Sequence, residues 1–168
     1  MKPLRVALAG NPNAGKTSLF NAITGSKQHV GNWPGKTIAK KEGNIQYKGF
    51  DVNIIDLPGT YSLSAFSPEE VIARDFIIQE KPDVVVTVLD AANLERNLYL
   101  AVQVLEMEVP VVVALNMADI ADSKHIQIKR AKLSHALKVP VVRTVARKEE
   151  GTCELLDAII ETAQQKTK

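Results

Sequence analysis

Two stretches of the chain end in Gly-Lys-Thr, the ending of a loop that binds phosphate. Residues 10–17 read GNPNAGKT, and residues 31–37 read GNWPGKT. A phosphate loop needs a strand before its first glycine, four residues between its two glycines, and a helix that begins at the lysine, because the free N–H groups and positive dipole end of that helix face the anion. Residues 31–37 are one residue short, contain a proline and follow no strand pattern. The first stretch is therefore the predicted phosphate site.

The phosphate site predicts roles for two side chains. Lys16 would reach the β- and γ-phosphates of a nucleotide, and the Thr17 hydroxyl would bind Mg²⁺. The N–H groups of the loop would contact the phosphates as well. The further predicted contacts are Gly10, Asn11, Pro12, Asn13, Ala14, Gly15 and Ser18. The alternative is a coincidental loop, which the strand pattern before it and the helix pattern after it disfavour.

A second predicted part of the site is the stretch DLPG, which closes an apolar strand at residues 51–56. The Asp56 carboxylate can hold Mg²⁺ through water, and the Gly59 N–H can meet the γ-phosphate. Leu57 and Pro58 complete the predicted contacts of this stretch. Asp-x-x-Gly alone is a weak pattern, because any junction between a strand and a turn can carry it.

Two stretches predict a site for the base. NMAD at residues 116–119 ends one apolar strand, and TVA at residues 144–146 ends the next. Asp119 would accept two N–H groups that guanine carries and adenine lacks; a lost charged hydrogen bond costs about 1.5–3 kcal/mol, so guanine should be preferred by more than about tenfold. A backbone N–H of residues 144–146 would meet the guanine O6, although a plain loop is the alternative there. The predicted base contacts are Asn116, Met117, Ala118, Asp119, Thr144, Val145 and Ala146.

The second Gly-Lys-Thr stretch fits a switch. The phosphate loop, DLPG, NMAD and TVA each lie at the end of a predicted strand. In this order they look like the motifs of a small GTPase. Such a protein also needs a threonine that offers its hydroxyl to Mg²⁺ and its N–H to the γ-phosphate only when that phosphate is present. Thr37 is the candidate between the phosphate loop and DLPG. The predicted switch residues in contact with the nucleotide are Trp33, Pro34, Gly35, Lys36 and Thr37.

The elements that must position these residues alternate between strand and helix patterns. Strands are predicted over 4–10, 43–59 (two strands joined near Lys48-Gly49), 82–90, 109–116 and 139–144. Helices are predicted over 16–25, 68–80, around 94–105, 124–137 and 151–165, and residues 26–42 are predicted to form a loop. The pattern predicts an α/β protein with the three-layer P-loop GTPase fold, in which a mostly parallel six-stranded sheet has one antiparallel strand and about five helices cover it.

Length, charge and hydropathy bound the class of protein. The 168 residues predict a single GTP-binding domain, 1–168, and the net charge of +2 does not indicate a nucleic-acid partner. The longest apolar runs reach about half of the roughly 20 residues that a membrane helix needs, so this chain alone is expected to be soluble. The one cysteine, Cys153, excludes an internal disulfide.

Four stretches resemble the amino-terminal G domain of the prokaryotic ferrous-iron transport protein B (FeoB), a small GTPase of the TrmE-Era-like class. They read GNPNAGKTSLFNAITG, HVGNWPGKT, DLPGTYSLSAFSPEEVIARDF and DAANLERNLYLAVQVLE, and the likeness runs from about residue 4 to residue 165. The resemblance implies a GTPase module on the cytoplasmic side of the cell inner membrane that regulates ferrous iron uptake. It also implies a helical domain and a membrane iron-permease domain as partners, so we expect this chain to be the G domain without them.

The resemblance implies a K⁺ site as well. Asn13 would ligate K⁺ together with backbone carbonyls around Trp33, and with Lys16 and Thr37 it completes the predicted catalytic residues. The alternative is that Asn13 only hydrogen-bonds within its loop. Three positions depart from the usual pattern: Lys36 replaces a small apolar residue, Met117 replaces a lysine, and Val145 stands where a serine-alanine pair would begin.

Turnover is predicted to be slow, well below about 1 s⁻¹, because Thr60 follows the DLPG glycine where many GTPases carry a glutamine that orients water. One alternative is a module that holds GTP or GDP as a signal and hardly hydrolyses it. Others are an Era-like GTPase of ribosome assembly or tRNA modification, and a P-loop ATPase, which Asn116 and Asp119 oppose. The sequence leaves the oligomeric state open.

Overall fold

A seven-stranded sheet with helices on both faces forms the molecule, and the computed structural model describes residues 1–166 of it. The strands are β1 (Lys2–Gly10), β2 (Gln28–Asn32), β3 (Ala39–Tyr47), β4 (Phe50–Asp56), β5 (Val84–Asp90), β6 (Val111–Asn116) and β7 (Val141–Arg143). The helices are α1 (Lys16–Thr24), α2 (Pro68–Glu80), α3 (Leu94–Glu106), α4 (Ala118–Ser123), α5 (Arg130–Leu137) and α6 (Thr152–Lys166). The order across the sheet is β2-β3-β4-β1-β5-β6-β7.

The directions of the strands confirm the predicted fold class. β1 pairs in parallel with β4 and β5, and β5, β6 and β7 continue in parallel. β3 is antiparallel to both of its neighbours, β2 and β4, so among the described strands it alone runs against the others. The parallel arrangement brings the carboxyl ends of β1, β4, β5, β6 and β7 to one edge of the sheet, where a ligand site is expected in such folds.

Several predicted elements are confirmed with their local causes. The turn between β3 and β4 lies at Lys48 and Gly49, whose positive φ angles of 47° and 83° suit a tight hairpin turn. α2 begins after Ser67, whose hydroxyl accepts the N–H of Glu70 at 3.2 Å and so caps the helix. α3 lies close to the predicted range and buries Leu100, Ala101 and Val104, while Leu94, Leu98 and Leu105 pack half-buried against the same core layer.

Two predicted boundaries are wrong. Residues 26–42 are not all loop: β2 pairs with the first half of β3, which adds one strand to the predicted six. The helix expected over 124–137 begins only at Arg130, and a short helix, α4, precedes it, so there are six α-helices among the described residues. Met117 and His125 take positive φ angles of 59° and 58° on either side of α4. Helix ends of this kind are usually marked by glycine, so the residue types gave no signal of these breaks.

The core has two layers, one on each face of the sheet. On one face, buried residues of α1 and α6 pack against apolar side chains of β1, β4, β5 and β6. On the other face, buried residues of α2, α3 and α4 pack on the same strands together with Trp33 and Leu63. None of the helices within residues 1–166 combines the length and the apolar character that crossing a membrane requires.

A polar cluster joins the β3–β4 hairpin to α6. The Tyr47 hydroxyl donates to the Asp157 carboxylate at 2.9 Å, and the Lys48 ammonium lies 2.8 Å from the same oxygen. The hydrogen bond from Lys48, and then that from Tyr47, lowers the pKa of Asp157 below its ordinary value. The same contacts raise the pKa of Lys48 and of Tyr47. The ionised form of Asp157 is therefore favoured by folding.

We predict that Asp157→Asn makes the stability difference from the native chain depend on pH. A lowered folded-state pKa contributes stability above the pKa of an unfolded aspartate, and this contribution disappears as the pH falls through the folded-state value. The urea midpoint of the variant should therefore lie below that of the native chain at pH 7, and the difference should shrink as the pH falls below the ordinary pKa of an aspartate. Asp51→Asn is the control, because Asp51 is exposed and makes no ion pair among the described residues. A constant difference at all pH values would contradict the prediction.

Candidate functional site

The predicted phosphate loop connects β1 to the first turn of α1. Gly10 lies so close to β5 that an added Cβ would be 2.9 Å from the carbonyl oxygen of Val88. Gly15 has a φ of 79°, and a Cβ there would collide with the side-chain amide of Asn116. No side chain caps the start of α1 and no acidic residue lies in its first turn. Its N–H groups are consequently available to an anion, which is the property that phosphate binding needs.

A buried ion pair lies beside this loop. The Lys16 ammonium donates to the Asp56 carboxylate and, at 2.6 Å, to the carbonyl oxygen of Leu57. The side chains of Lys16 and Asp56 are only 6% and 7% exposed, so both charges are largely removed from water. Such a pair is tolerated when each charge has close partners, because an isolated buried charge is strongly unfavourable. The structure therefore brings together two residues that are 40 positions apart in the sequence.

The side chain of Asn116 connects the phosphate loop with the predicted base loop. Its amide nitrogen donates to the carbonyl oxygen of Ala14 at 3.0 Å. Its amide oxygen accepts the Thr144 hydroxyl at 3.0 Å and the Ala146 N–H at 3.1 Å. Asn116 is 2% exposed, so these bonds form away from water. The sequence predicted Asn116 in the site, but it did not predict this bracing role.

Next to Asn116 lies a cavity of about 130 Å³. Its wall includes Met117, Asp119, Val145 and Ala146, as predicted for the base, and also Gly15 and Ser18 of the phosphate loop. The Asp119 carboxylate accepts a hydrogen bond from Arg147 at 2.7 Å, and the Lys148 ammonium lies 3.9 Å away. Sequence reasoning missed Arg147 and Lys148. Their position directly after TVA was the available signal.

The segment after Asp56 runs back over the phosphate loop. Gly59 approaches Pro12 so closely that an added Cβ would be 2.9 Å from the Pro12 Cα. The Thr60 N–H donates to the carbonyl oxygen of Gly10 at 3.0 Å, and Thr60 is buried. Its position fits the expectation that its short side chain does not orient water. Among the other predicted contacts, Asn11, Ala14, Leu57 and Ala118 are buried, whereas Pro12, Asn13, Thr17 and Ser18 are exposed.

Two side chains hold the loop before α2 through contacts that sequence reasoning did not predict. Glu70 accepts the Ser62 hydroxyl at 2.9 Å and the Ser64 N–H at 3.0 Å, and these bonds, that from Ser62 first, lower the pKa of its carboxyl. Gln103 of α3 accepts the Leu63 N–H at 2.8 Å. Glu70 also belongs to the capping box at the start of α2 and Gln103 belongs to no motif, but for both only the folded arrangement shows these contacts with residues 62–64.

The predicted switch residues 33–37 lie in a turn between β2 and β3. The backbone N–H of Trp33 donates to the carbonyl oxygen of Ile38, and the backbone N–H of Lys36 donates to the carbonyl oxygen of Trp33. Both bonds are 2.9 Å long, and together they close the turn. Pro34, Gly35, Lys36 and Thr37 are exposed. Thr37 makes no hydrogen bond to Lys16 or Asp56 within the described part of the chain. The structure therefore does not bring Thr37 into the group that Lys16, Asp56 and Asn116 form.

Trp33 is the buried member of this turn, with 7% exposure. Burial of an aromatic side chain of 150–250 Å² contributes at most roughly 4–6 kcal/mol. Its indole N–H has no hydrogen-bond partner among the described residues. An unpaired buried donor costs about 1–3 kcal/mol, so the packing of Trp33 is stabilising but weaker than burial alone suggests.

The donor atoms at the site fit the two predicted cations to different degrees. The Asp56 carboxylate and the Thr17 hydroxyl are oxygen donors next to the phosphate loop, which is the donor chemistry that Mg²⁺ prefers. The Asn13 side chain is exposed and forms no hydrogen bond within residues 1–166, so its amide oxygen is free to ligate K⁺. The Trp33 carbonyl, in contrast, is already bonded to Lys36. The oxygen atoms of Asp56 and Thr17 thus suit Mg²⁺, and the amide oxygen of Asn13 is an unbonded donor that suits K⁺.

A strand that leads through a phosphate loop into a helix, with Asp56 at the carboxyl end of β4 and Asp119 just after β6, defines a G domain of the P-loop class. The chain belongs to the family Ferrous iron transport protein B, whose model matches residues 4–159. It is 48% identical over 166 residues to the Fe(2+) transport protein A/Fe(2+) transporter FeoB fusion protein of Porphyromonas gingivalis, which covers 98% of this chain and 20% of that protein. The family is one of GTPases, which supports GTPase activity in general.

Two solved structures of the same family share the fold. The cytosolic domain of the T. maritima FeoB iron transporter in a GDP form has a TM-score of 0.95 at 49% identity, over 99% of this chain and 65% of that one. The FeoB G-domain from Methanococcus jannaschii has a TM-score of 0.87 at 46% identity, over 98% of this chain and 99% of that one. The chain spans about a fifth of the length of the curated relatives that it matches.

We predict that Asn116→Ala loosens the base loop as well as the fold. Loss of a buried amide that serves four partners should lower the free energy of unfolding by about 1–3 kcal/mol. Amide hydrogen exchange of residues 144–148 should accelerate at the same time, because Thr144 and Ala146 lose their partner.

The control for this prediction is Asn97→Ala. Asn97 is also buried, accepts the Asp90 N–H at 3.2 Å and donates to the Asn93 carbonyl at 2.9 Å, away from the base loop. Its replacement should lower the stability without accelerating exchange at residues 144–148. Equal exchange rates in that loop for Asn116→Ala and the native chain would contradict the bracing role.

Proposed function

We propose that this chain binds GTP and GDP and hydrolyses GTP slowly with Mg²⁺, and that it regulates ferrous iron uptake as the cytosolic part of a membrane transporter. The main observation is that the Asn116 amide joins the phosphate loop to the cavity beside Asp119. The two ends of one nucleotide would then be held by loops that cannot move independently. The GDP in the T. maritima relative supports a guanine nucleotide as the ligand.

The base would be read by Asp119. Its carboxylate can accept the N1–H and the 2-amino group of guanine, whereas adenine would leave it unpaired. The pair with Arg147 does not prevent this, because the Arg147 side chain is 72% exposed and an exposed ion pair contributes only about 0–1 kcal/mol. Met117 would pack on the base in place of the usual lysine stem. Residues 144–146 would supply an N–H to the guanine O6.

The phosphates would be held by Lys16 and the N–H groups of residues 13–17. Thr17 and Thr37 would bind Mg²⁺ directly, and Asp56 would hold it through water. Bound Mg²⁺ would neutralise charge on the β- and γ-oxygens during phosphoryl transfer. Lys16 would exchange its bond to Asp56 for the phosphates, and the turn that contains Thr37 would have to open. Slow hydrolysis follows because buried Thr60 cannot orient the attacking water.

Asn13 is proposed to ligate K⁺ at the phosphates. A cation there would place positive charge where other GTPases use an arginine. The unbonded side chain of Asn13 supports this role over a hydrogen bond within the loop. Lys16, Thr37 and Asn13 are accordingly the proposed catalytic residues.

The larger context is proposed from the family. Residues 1–168 would form one GTP-binding domain on the cytoplasmic side of the cell inner membrane, and its partners in the full-length protein would be a helical domain and a membrane iron-permease domain. The Fe(2+) transporters among the relatives support this context. They do not favour a GTPase of ribosome assembly or tRNA modification. The absence of a basic surplus in the chain, with a net charge of +2, does not favour a nucleic-acid partner either.

We predict that GDP binds more than about tenfold more tightly than ADP, because Asp119 pairs only with guanine. Calorimetric titration of both nucleotides measures the ratio. Asp119→Asn should reduce the affinity for GDP by at least about tenfold and should create affinity for xanthosine diphosphate, whose 2-oxo group can accept a hydrogen bond from the new amide. ADP binding as tightly as GDP would refute the proposed base site.

We predict that K⁺ accelerates phosphate release from GTP relative to Na⁺ in the native chain. In Asn13→Ala the two salts should give equal rates, while GDP affinity should change little because the loop backbone is intact. Lys16→Ala provides the baseline, since the phosphates lose their lysine. Equal rates in K⁺ and Na⁺ for the native chain would exclude K⁺ activation, and release no faster than the Lys16→Ala baseline would exclude hydrolysis.

A further inference from the structure

The buried tryptophan of the switch turn lies against the helix that follows the DLPG segment. The Trp33 and Phe76 rings meet edge to face, with centroids 5.8 Å apart and planes at 77°. Phe76 belongs to α2 and is buried in the same core layer as Trp33. Edge-to-face contact of this kind stabilises aromatic pairs beyond the area they bury. The Trp33 ring therefore attaches the turn of residues 33–38 to α2, and Ile38 of the same turn packs half-buried against this core layer.

A second contact is made with the face of the Trp33 ring. The Lys40 ammonium lies 5.0 Å from the Trp33 ring centroid, within the range of a cation–π interaction. The unpaired indole N–H works against both contacts. Favourable ring packing and an unfavourable buried donor together give an attachment that is weak enough to open.

The attachment constrains Thr37. The hydrogen bonds from Trp33 to Ile38 and from Lys36 to Trp33 close the turn while Trp33 is seated, and Thr37 then lies exposed within it. For Thr37 to approach Thr17 and Asp56, this turn must open. When the turn opens, it loses the stabilisation that the buried Trp33 ring provides.

We infer that Phe76 is a positioning residue that sets the preference for nucleoside diphosphate over triphosphate, because it seats Trp33 and thereby keeps Thr37 away from the γ-phosphate position. The inference rests on the proposed function. A triphosphate gains its contact with Thr37 only in the open turn, whereas a diphosphate binds with the turn open or closed. Weakening the contact between Phe76 and Trp33 should therefore raise the affinity for the triphosphate relative to that for the diphosphate. The reason is that a ligand shifts an equilibrium by its differential affinity for the two states.

The test compares binding of GDP and of a non-hydrolysable GTP analogue, GMPPNP, in the native chain, Phe76→Ala and Phe76→Leu. Phe76→Ala should raise the affinity for GMPPNP about three- to tenfold relative to that for GDP, as loss of an aromatic pair allows. Phe76→Leu keeps an apolar side chain in the core and should give a smaller shift in the same direction. Trp33 is the only tryptophan, so its emission should move to longer wavelength in the nucleotide-free variants.

Ile159→Ala is the control for a general loss of stability. Ile159 is buried on the opposite face of the sheet, so its truncation should destabilise the fold without changing the ratio of the two affinities. A cooperative thermal unfolding transition establishes that each variant is folded. If Phe76→Ala is not folded, the affinity ratio of Phe76→Leu tests the inference.

Three outcomes would overturn the inference. Red-shifted Trp33 emission with an unchanged affinity ratio would mean that the seat does not control the triphosphate. Unchanged emission in both Phe76 variants would mean that Phe76 does not seat Trp33. An equal change of the ratio in Ile159→Ala would assign the effect to stability. Failure of the native chain to bind either nucleotide would instead refute the proposed function itself.

Discussion

The site depends on one buried amide at the carboxyl end of β6. Asn116 donates to the phosphate loop and accepts from two groups of the loop after β7, and all three bonds are shielded from water. A side-chain amide has a donor end and an acceptor end, so it can join a carbonyl on one loop to an N–H and a hydroxyl on another. Parallel strands make this possible because their carboxyl ends lie side by side. Asn116 therefore joins the phosphate loop to the loop after β7, and the cavity beside Asp119 is lined by residues of both loops.

The ion pairs of Asp56 with Lys16 and of Asp119 with Arg147 differ in how far they are buried. Lys16 and Asp56 are both almost fully buried, so neither charge can be left without a partner. Asp119 pairs with Arg147 at the surface, where water can replace either partner at little cost. The carboxylate near the phosphate loop is thus held in place, whereas the carboxylate beside the cavity remains available to a ligand.

Much of the fold and part of the site could be predicted from the sequence. β1, the phosphate loop, the Lys48-Gly49 turn and the capped start of α2 follow from local patterns with a physical cause, and the structure has them where they were expected. β2 could not be predicted, because QHVGN has no clear alternation and becomes a strand only by pairing with β3. α4 was missed because Met117 and His125 take conformations usually reserved for glycine.

Two of the residues that sequence reasoning missed make contacts that join segments far apart in the sequence. Gln103 meets Leu63 across 40 positions, and Phe76 meets Trp33 across the core. Neither residue type nor spacing carries information about such pairs. Arg147 is different, since it follows TVA directly and its charge could have been read as a partner for Asp119.

The outermost position of β2 has a consequence for the behaviour of the molecule in concentrated solution. Within the sheet β2 pairs with β3 alone, and if β2 detaches, the backbone of β3 becomes the edge of the sheet. That edge carries Lys40, Lys41 and Glu42 in consecutive positions. Charged side chains on an uncovered strand oppose its pairing with a strand of another molecule. The sheet can therefore release its last strand without becoming a template for aggregation.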